Sequence, residues 1–220
     1  MKRIAIISFL MMGVLAGGPA AQAQDDNDLA SLQDKVGREW QLIKQSSKPE
    51  IRSWVKREDG HQIRSFRIEA TLNGTLEAFL QTAMDAENYG RWHWQILESR
   101  TLKRISPQES IVYLKHKAPY SLPDRDVVVR VQVKSSSPGE AVLSVEALPN
   151  YIPATPGVVR MPAENMTVKV SVRPGRQLAV EAEGFFDPGG QAPDWAANFV
   201  QRSAPYNILL GLQRVLSLAG

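Results

Sequence analysis

Between Ile96 and Phe186 apolar residues recur at every second position in a series of short runs, separated by brief polar breaks. A period of two is the mark of strands that turn one face inward. It is plainest in Val127, Val129, Val131 and Val133, where Arg130, Gln132 and Lys134 face the other way, and it returns in Met166, Val168, Val170 and Val172 and in Leu178, Val180 and Ala182. Six strands are predicted: Ile96–Ile105, Ser110–Lys117, Arg125–Lys134, Glu140–Leu148, Met166–Arg173 and Gln177–Phe186. Pro138-Gly139 and Pro174-Gly175 mark turns between neighbours. The stretch from Asn150 to Ala163 is punctuated by prolines that cannot donate to a ladder, so it is not a regular central strand. Upstream, Ile51–Arg57 and Gln62–Ala70 read as a hairpin around Asp59-Gly60.

Elsewhere the period changes to three and four. Leu29, Leu32, Val36, Trp40 and Ile43 predict a helix from Asp25 to Lys44, stopped by Pro49. Leu76, Phe79, Leu80 and Ala83 predict a second, Thr75–Tyr89, with Thr75 as its cap. Pro193–Ser217 predicts a long third helix, with Pro193 at its start and Pro205 as a kink point. An antiparallel sheet with one apolar face needs cover, and the last helix is the longest element free to give it. The expected fold is therefore α+β, a curved antiparallel sheet wrapped around the C-terminal helix. A sheet covered by so little leaves internal space of the concave, apolar kind that holds ligands.

Charge changes this picture little. Of 220 residues, the first 23 read as a secretory leader: Lys2-Arg3, an uncharged run from Ile4 to Leu15, then Ala21-Gln22-Ala23 as the cleavage pattern. Cleavage after Ala23 would leave one domain, 24–220, in the periplasm or secreted. Without the leader the net charge falls from +3 to +1, so a nucleic-acid footprint is not expected. Cysteine is absent, which excludes a disulfide framework, a thiolate zinc site and a cysteine nucleophile. No phosphate loop, dinucleotide fingerprint, H-E-x-x-H or G-x-S-x-G motif occurs after the leader. Neither cofactor nor metal nor catalytic residue is expected.

Three segments resemble the START domain, the lipid-transfer fold of the relatives of the steroidogenic acute regulatory protein. They are Tyr89-Gly90-Arg91-Trp92; Leu122-Pro123-Asp124-Arg125-Asp126-Val127; and Pro193 to Phe199 continuing through Ala204-Pro205-Tyr206 to Leu212. The resemblance spans roughly Glu39 to Leu218 and implies a helix-grip fold around a tunnel for one lipid or sterol-like molecule. It also implies a monomer that touches a membrane only transiently.

On that reading Trp195, Phe199, Tyr206 and Leu210 are the expected tunnel wall, with Trp92 and Tyr113 as further ligand contacts. Alternation would put Trp92 and Trp94 on one face and His93 on the other. Asp124 or Asp126 is expected to pair with a basic neighbour and fix a strand start. The loop Ala118–Asp124, with Tyr120 and Leu122 as apolar tips, is the expected gate against the last helix. Two rivals use the same fold: a cofactor-independent cyclase or hydrolase, signalled by an acid/base pair in the cavity, and a structural protein with a filled core.

Overall fold

The computed structural model describes residues 39–57 and 64–218. The expected leader, most of the first predicted helix and the Asp59-Gly60 turn lie outside them. Ten strands form one sheet among the described residues: β1 (Gln41–Ser47), β2 (Glu50–Arg57), β3 (Arg64–Asn73), β4 (Ile96–Ser106), β5 (Glu109–His116), β6 (Arg125–Ser137), β7 (Glu140–Ala147), β8 (Val159–Arg160), β9 (Ala163–Arg173) and β10 (Gln177–Asp187). Their order is β1-β2-β3-β10-β9-β7-β6-β5-β4, antiparallel throughout, and the two-residue β8 runs parallel beside the start of β6. The sheet curves around α1 (Leu76–Met84) and α2 (Asp194–Leu218), the helix-grip arrangement.

The alternation sets which residues face the helices. Val127, Val129 and Val131 of β6 are buried on the concave side, as are Val170 of β9 and Leu178, Val180 and Ala182 of β10. They meet Leu76 and Phe79 of α1 and Leu209, Leu212 and Leu216 of α2. Val128 faces the other way and is buried too, against Ile111 and Tyr113 and under Leu148 and Ile152. Pro138-Gly139 closes the β6–β7 hairpin between the paired Ser137 and Glu140.

Local signals give way to pairing at two places. The tail of the first predicted helix is instead strand β1, which pairs with β2 through a bulge between Leu42 and Lys44. The helical spacing of Trp40 and Ile43 is outweighed because β2 would otherwise leave its edge hydrogen-bonding groups open. The helix expected to reach Tyr89 ends at Met84, and a 3-10 helix, Ala86–Arg91, continues the path. The Tyr89 hydroxyl donates back to the Ala83 carbonyl across that break. Thr75 does cap α1, its Oγ1 accepting from Ala78 N at 3.2 Å.

Helix α2 is held at its C-terminal half. Asn73 N donates to Gln213 Oε1 at 2.8 Å, and Arg214 Nη2 donates to the Arg91 carbonyl at 2.7 Å. Gly211 passes so close to the end of the 3-10 helix that a Cβ there would stand 2.0 Å from the Trp92 carbonyl oxygen. Only glycine fits.

Candidate functional site

Between the concave face and α2 lies a cavity with about 220 Å3 open to the centres of water-sized molecules. Its floor is the sheet: Ile68, Val129, Val131, Leu143, Val168 and Val180. Its roof is one face of α2: Ala196, Val200, Ala204 and Ile208, spaced four apart, together with Ala197, Leu209 and Leu212. Small side chains on the roof are what leave the space unfilled. At one end stand Pro119 and Leu122, from the loop before β6, and Pro188 and Ala192, from the segment before α2.

Polar groups interrupt this apolar lining at few points. The imidazoles of His93 and His116 lie 5.5 Å apart on the wall. Burial, reinforced for His93 by its neighbour His116, pulls their pKa values down to about 3 and about 4. Both are neutral at physiological pH, and neither is a strong base. Glu164, at the start of β9, opens onto the cavity and forms no hydrogen bond or ion pair among the described residues. Burial pushes its carboxyl up to about 7. Trp92 Nε1, also on the lining, is buried without a hydrogen-bond partner. Arg125, at the first position of β6, is the one arginine on the wall among the described residues. Among the described residues no three His, Asp or Glu side chains gather at metal-binding geometry.

A family model for the START domain matches residues 22–205. The chain belongs to the START family. A STAR-related lipid transfer protein from Xanthomonas axonopodis superposes with a TM-score of 0.73 at 28% identity, over 81% of this chain and 98% of that one. The human phosphatidylcholine transfer protein is 24% identical over 207 residues, covering 91% of this chain and 95% of its own. An aromatase/cyclase from a Streptomyces species shares the fold alone, with a TM-score of 0.52 at 12% identity over 71% of this chain and 93% of that one.

The START geometry sorts the expected site residues. Trp92 and Leu122 are on the lining. Trp195, Phe199, Tyr206 and Leu210 are not: they sit on another face of α2. Trp195 and Phe199 are 51% and 40% exposed and cluster with the exposed Tyr120, at ring separations of 5.1 and 6.2 Å. Tyr206 carries the Lys44 ammonium 3.8 Å above its ring. Tyr113 is buried on the convex side of the sheet, away from the cavity. Tyr120 is exposed and off the lining, whereas Leu122 is on it.

The Trp-His-Trp expectation also changes. Residues 92–95 form a turn, with Gln95 at φ 55°, so alternation does not apply and Trp92, His93 and Trp94 all reach the cavity. Asp126 and Arg125 do point to opposite faces. Asp126, fully buried on the convex side, receives Arg160 Nε at 2.8 Å and Nη2 at 3.0 Å. Arg160 also donates to the carbonyls of Pro149 and Ile152, at 2.7 and 3.0 Å, which ties down the proline-punctuated stretch. Asp124 pairs with Lys115 at 3.6 Å. Sequence reasoning missed Arg125, His116 and Glu164 as cavity residues. The parity of Arg125 with Val127 and Val129 was the available signal for the first of them.

Proposed function

We propose that this START domain binds one hydrophobic molecule, of lipid or sterol type, in the cavity beneath α2 and carries it through water. The observation that supports this most is the unfilled apolar space itself, walled by small residues on α2 where a packed core would have large ones. A ligand gains by leaving water: burying ~300 Å2 of its apolar surface is worth about 7–8 kcal/mol before ordering costs. Release then needs an apolar acceptor such as a membrane. The mouth between the 118–124 loop and the N-terminal half of α2 suits that exchange. It bears Tyr120, Trp195 and Phe199 exposed together, side chains that favour the boundary between water and lipid. Tyr120 and Ser121 hold consecutive positive φ angles of 53° and 63°, a conformation that side-chain-bearing residues adopt only at a cost. That loop therefore has an incentive to rearrange.

Exported location fits the same reading: a chain with the leader pattern of residues 1–23 and no cysteine would work as a shuttle in the periplasm or outside the cell. N-terminal sequencing of the exported protein should find Gln24 first; a start at Met1 would remove that assignment.

A second reading has one observation in its favour. Glu164, with its carboxyl at about 7 inside the cavity, is in the range of a general acid or base. Turnover of a polyketide- or steroid-like substrate that fails in Glu164→Gln would support an enzyme; retention of unaltered ligand supports the carrier. The direct test of the carrier is uptake of a fluorescent sterol or fatty-acid probe by the metal-free protein in chelator. Saturable uptake at about one probe per chain is expected, and no uptake by any probe would refute it.

A further inference from the structure

Arg125 is a buried cation on the wall of an apolar cavity, and the fold leaves it without a carboxylate of its own. Only 8% of its surface is exposed. Strand parity turns Asp126 to the convex side, where Arg160 holds it. The adjacent Asp124 pairs with Lys115 at 3.6 Å and acts on Arg125 as a nearby charge without an ion pair to it. What remains for Arg125 is one hydrogen bond, from Nη1 to the Pro123 carbonyl. A guanidinium offers five N–H donors, so most of those on Arg125 have no protein partner among the described residues. Leaving a charge this way is costly unless something else pairs with it.

Its surroundings suit an anion at the rim of the cavity. His116 is the residue directly opposite on β5, on the same face, and its ring is turned to the Trp94 backbone. Lys117, also on the lining, forms no ion pair among the described residues and adds positive charge. On its other side Arg125 pairs with Val159 of β8. The segment leading to α2 packs there: a Cβ on Gly189 would stand 2.7 Å from the Arg160 carbonyl oxygen. Arg125 thus lies where the two walls of the mouth converge, with the apolar floor running inward behind it.

We propose that Arg125 is the receptor for an acidic headgroup, so that the cavity takes a lipid whose polar end is a carboxylate or a phosphate, with its apolar part directed inward. The inference rests on the cavity being a ligand site. A planar guanidinium meets either anion with two parallel hydrogen bonds, the strongest neutralisation available to it. Burial pulls its pKa down and outweighs the raising effect of the nearby Asp124 charge. Anion binding relieves that deficit.

The test compares matched ligands that differ only in charge: oleate against methyl oleate, and dioleoyl phosphatidate against dioleoylglycerol, each delivered from cyclodextrin to the full-length mature protein. Wild type should bind at least one acidic member about 10-fold more tightly than its neutral partner, about 1.4 kcal/mol. The pair that shows the preference tells carboxylate from phosphate. Arg125→Gln should lose the preference, acidic and neutral members binding alike, and Arg125→Lys should retain part of it. Equal binding within both pairs by wild type overturns the proposal, as does a preference that survives in Arg125→Gln. The wild-type comparison stands even if that variant fails to fold by circular dichroism. If wild type binds neutral but not acidic members more tightly, only the headgroup site falls. If it binds none of the four, the cavity reading falls and takes this proposal with it.

Discussion

Asp126 has no exposed surface, and Arg160 meets both of its carboxylate oxygens. A buried pair of this kind adds little net stability over apolar residues, but losing one partner strands the other. Arg160→Met should therefore cost about 3–5 kcal/mol in chemical denaturation, and Asp126→Asn combined with Arg160→Met should cost less than Arg160→Met alone. A loss below about 1 kcal/mol for Arg160→Met would contradict the burial argument. Glu164 makes a prediction about pH. Its folded pKa of about 7 lies above the ordinary 4.5, so the folded chain holds a proton that the unfolded chain gives up. That contribution is full below pH 4.5 and is lost as the pH rises to 7. His93 and His116 act with the opposite sign: their lowered folded pKa values cost stability as pH falls below 6.5 toward about 3 and about 4, respectively. Glu164→Gln leaves the histidines in place, so it should gain stability relative to wild type as pH is raised from 4.5 to 7. Denaturation midpoints at matched pH would show this; a difference that stays constant across the window would mean Glu164 is not buried as described.

Helix α2 divides into an anchored C-terminal half and an N-terminal half that roofs the cavity, with Pro205 between them inside the helix. Pro205 removes one backbone hydrogen bond at the junction. Movement of the N-terminal half against the 118–124 loop is the expected route for ligand. Because the chain lacks cysteine, cysteines at Tyr120 and Trp195 can be bridged cleanly by a thiol crosslinker. The bridge should slow probe uptake and release at least severalfold, and unchanged rates with the bridge confirmed by mass would place the route elsewhere. The two faces of this element also separate by mutation. Val200→Trp, on the roof, should block uptake with little loss of stability, since it fills existing space. Trp195→Ala, on a half-exposed face, should cost well under the ~3–5 kcal/mol of a core aromatic. Equal effects of the two on uptake would show that the roof is misassigned. This helix is also where sequence patterning was least able to speak. Apolar residues lie on more than one of its faces, so periodicity selects no single stripe. The large aromatics attract attention, yet the roof before Pro205 is made of alanine and valine.

At the scale of the whole molecule the meander was legible, because the alternation in β6, β9 and β10 marks an inward face and short turns separate the strands. The helix-grip arrangement followed from having one long helix to cover them. β1 was not legible: its pairing with β2 is a tertiary gain that no local pattern records. Nor were Glu164 and the pair His93 and His116, since the histidines meet across 23 positions of sequence through a turn and a strand end. The central claim concerns the space these elements enclose. Native mass spectrometry of the protein, purified without detergent and then incubated with mixed lipid vesicles, tests it most directly. The account predicts a mass shift equal to one lipid per chain, removed by organic extraction and absent in Val200→Trp. A wild-type chain that keeps only its own mass after incubation with every lipid class would contradict it.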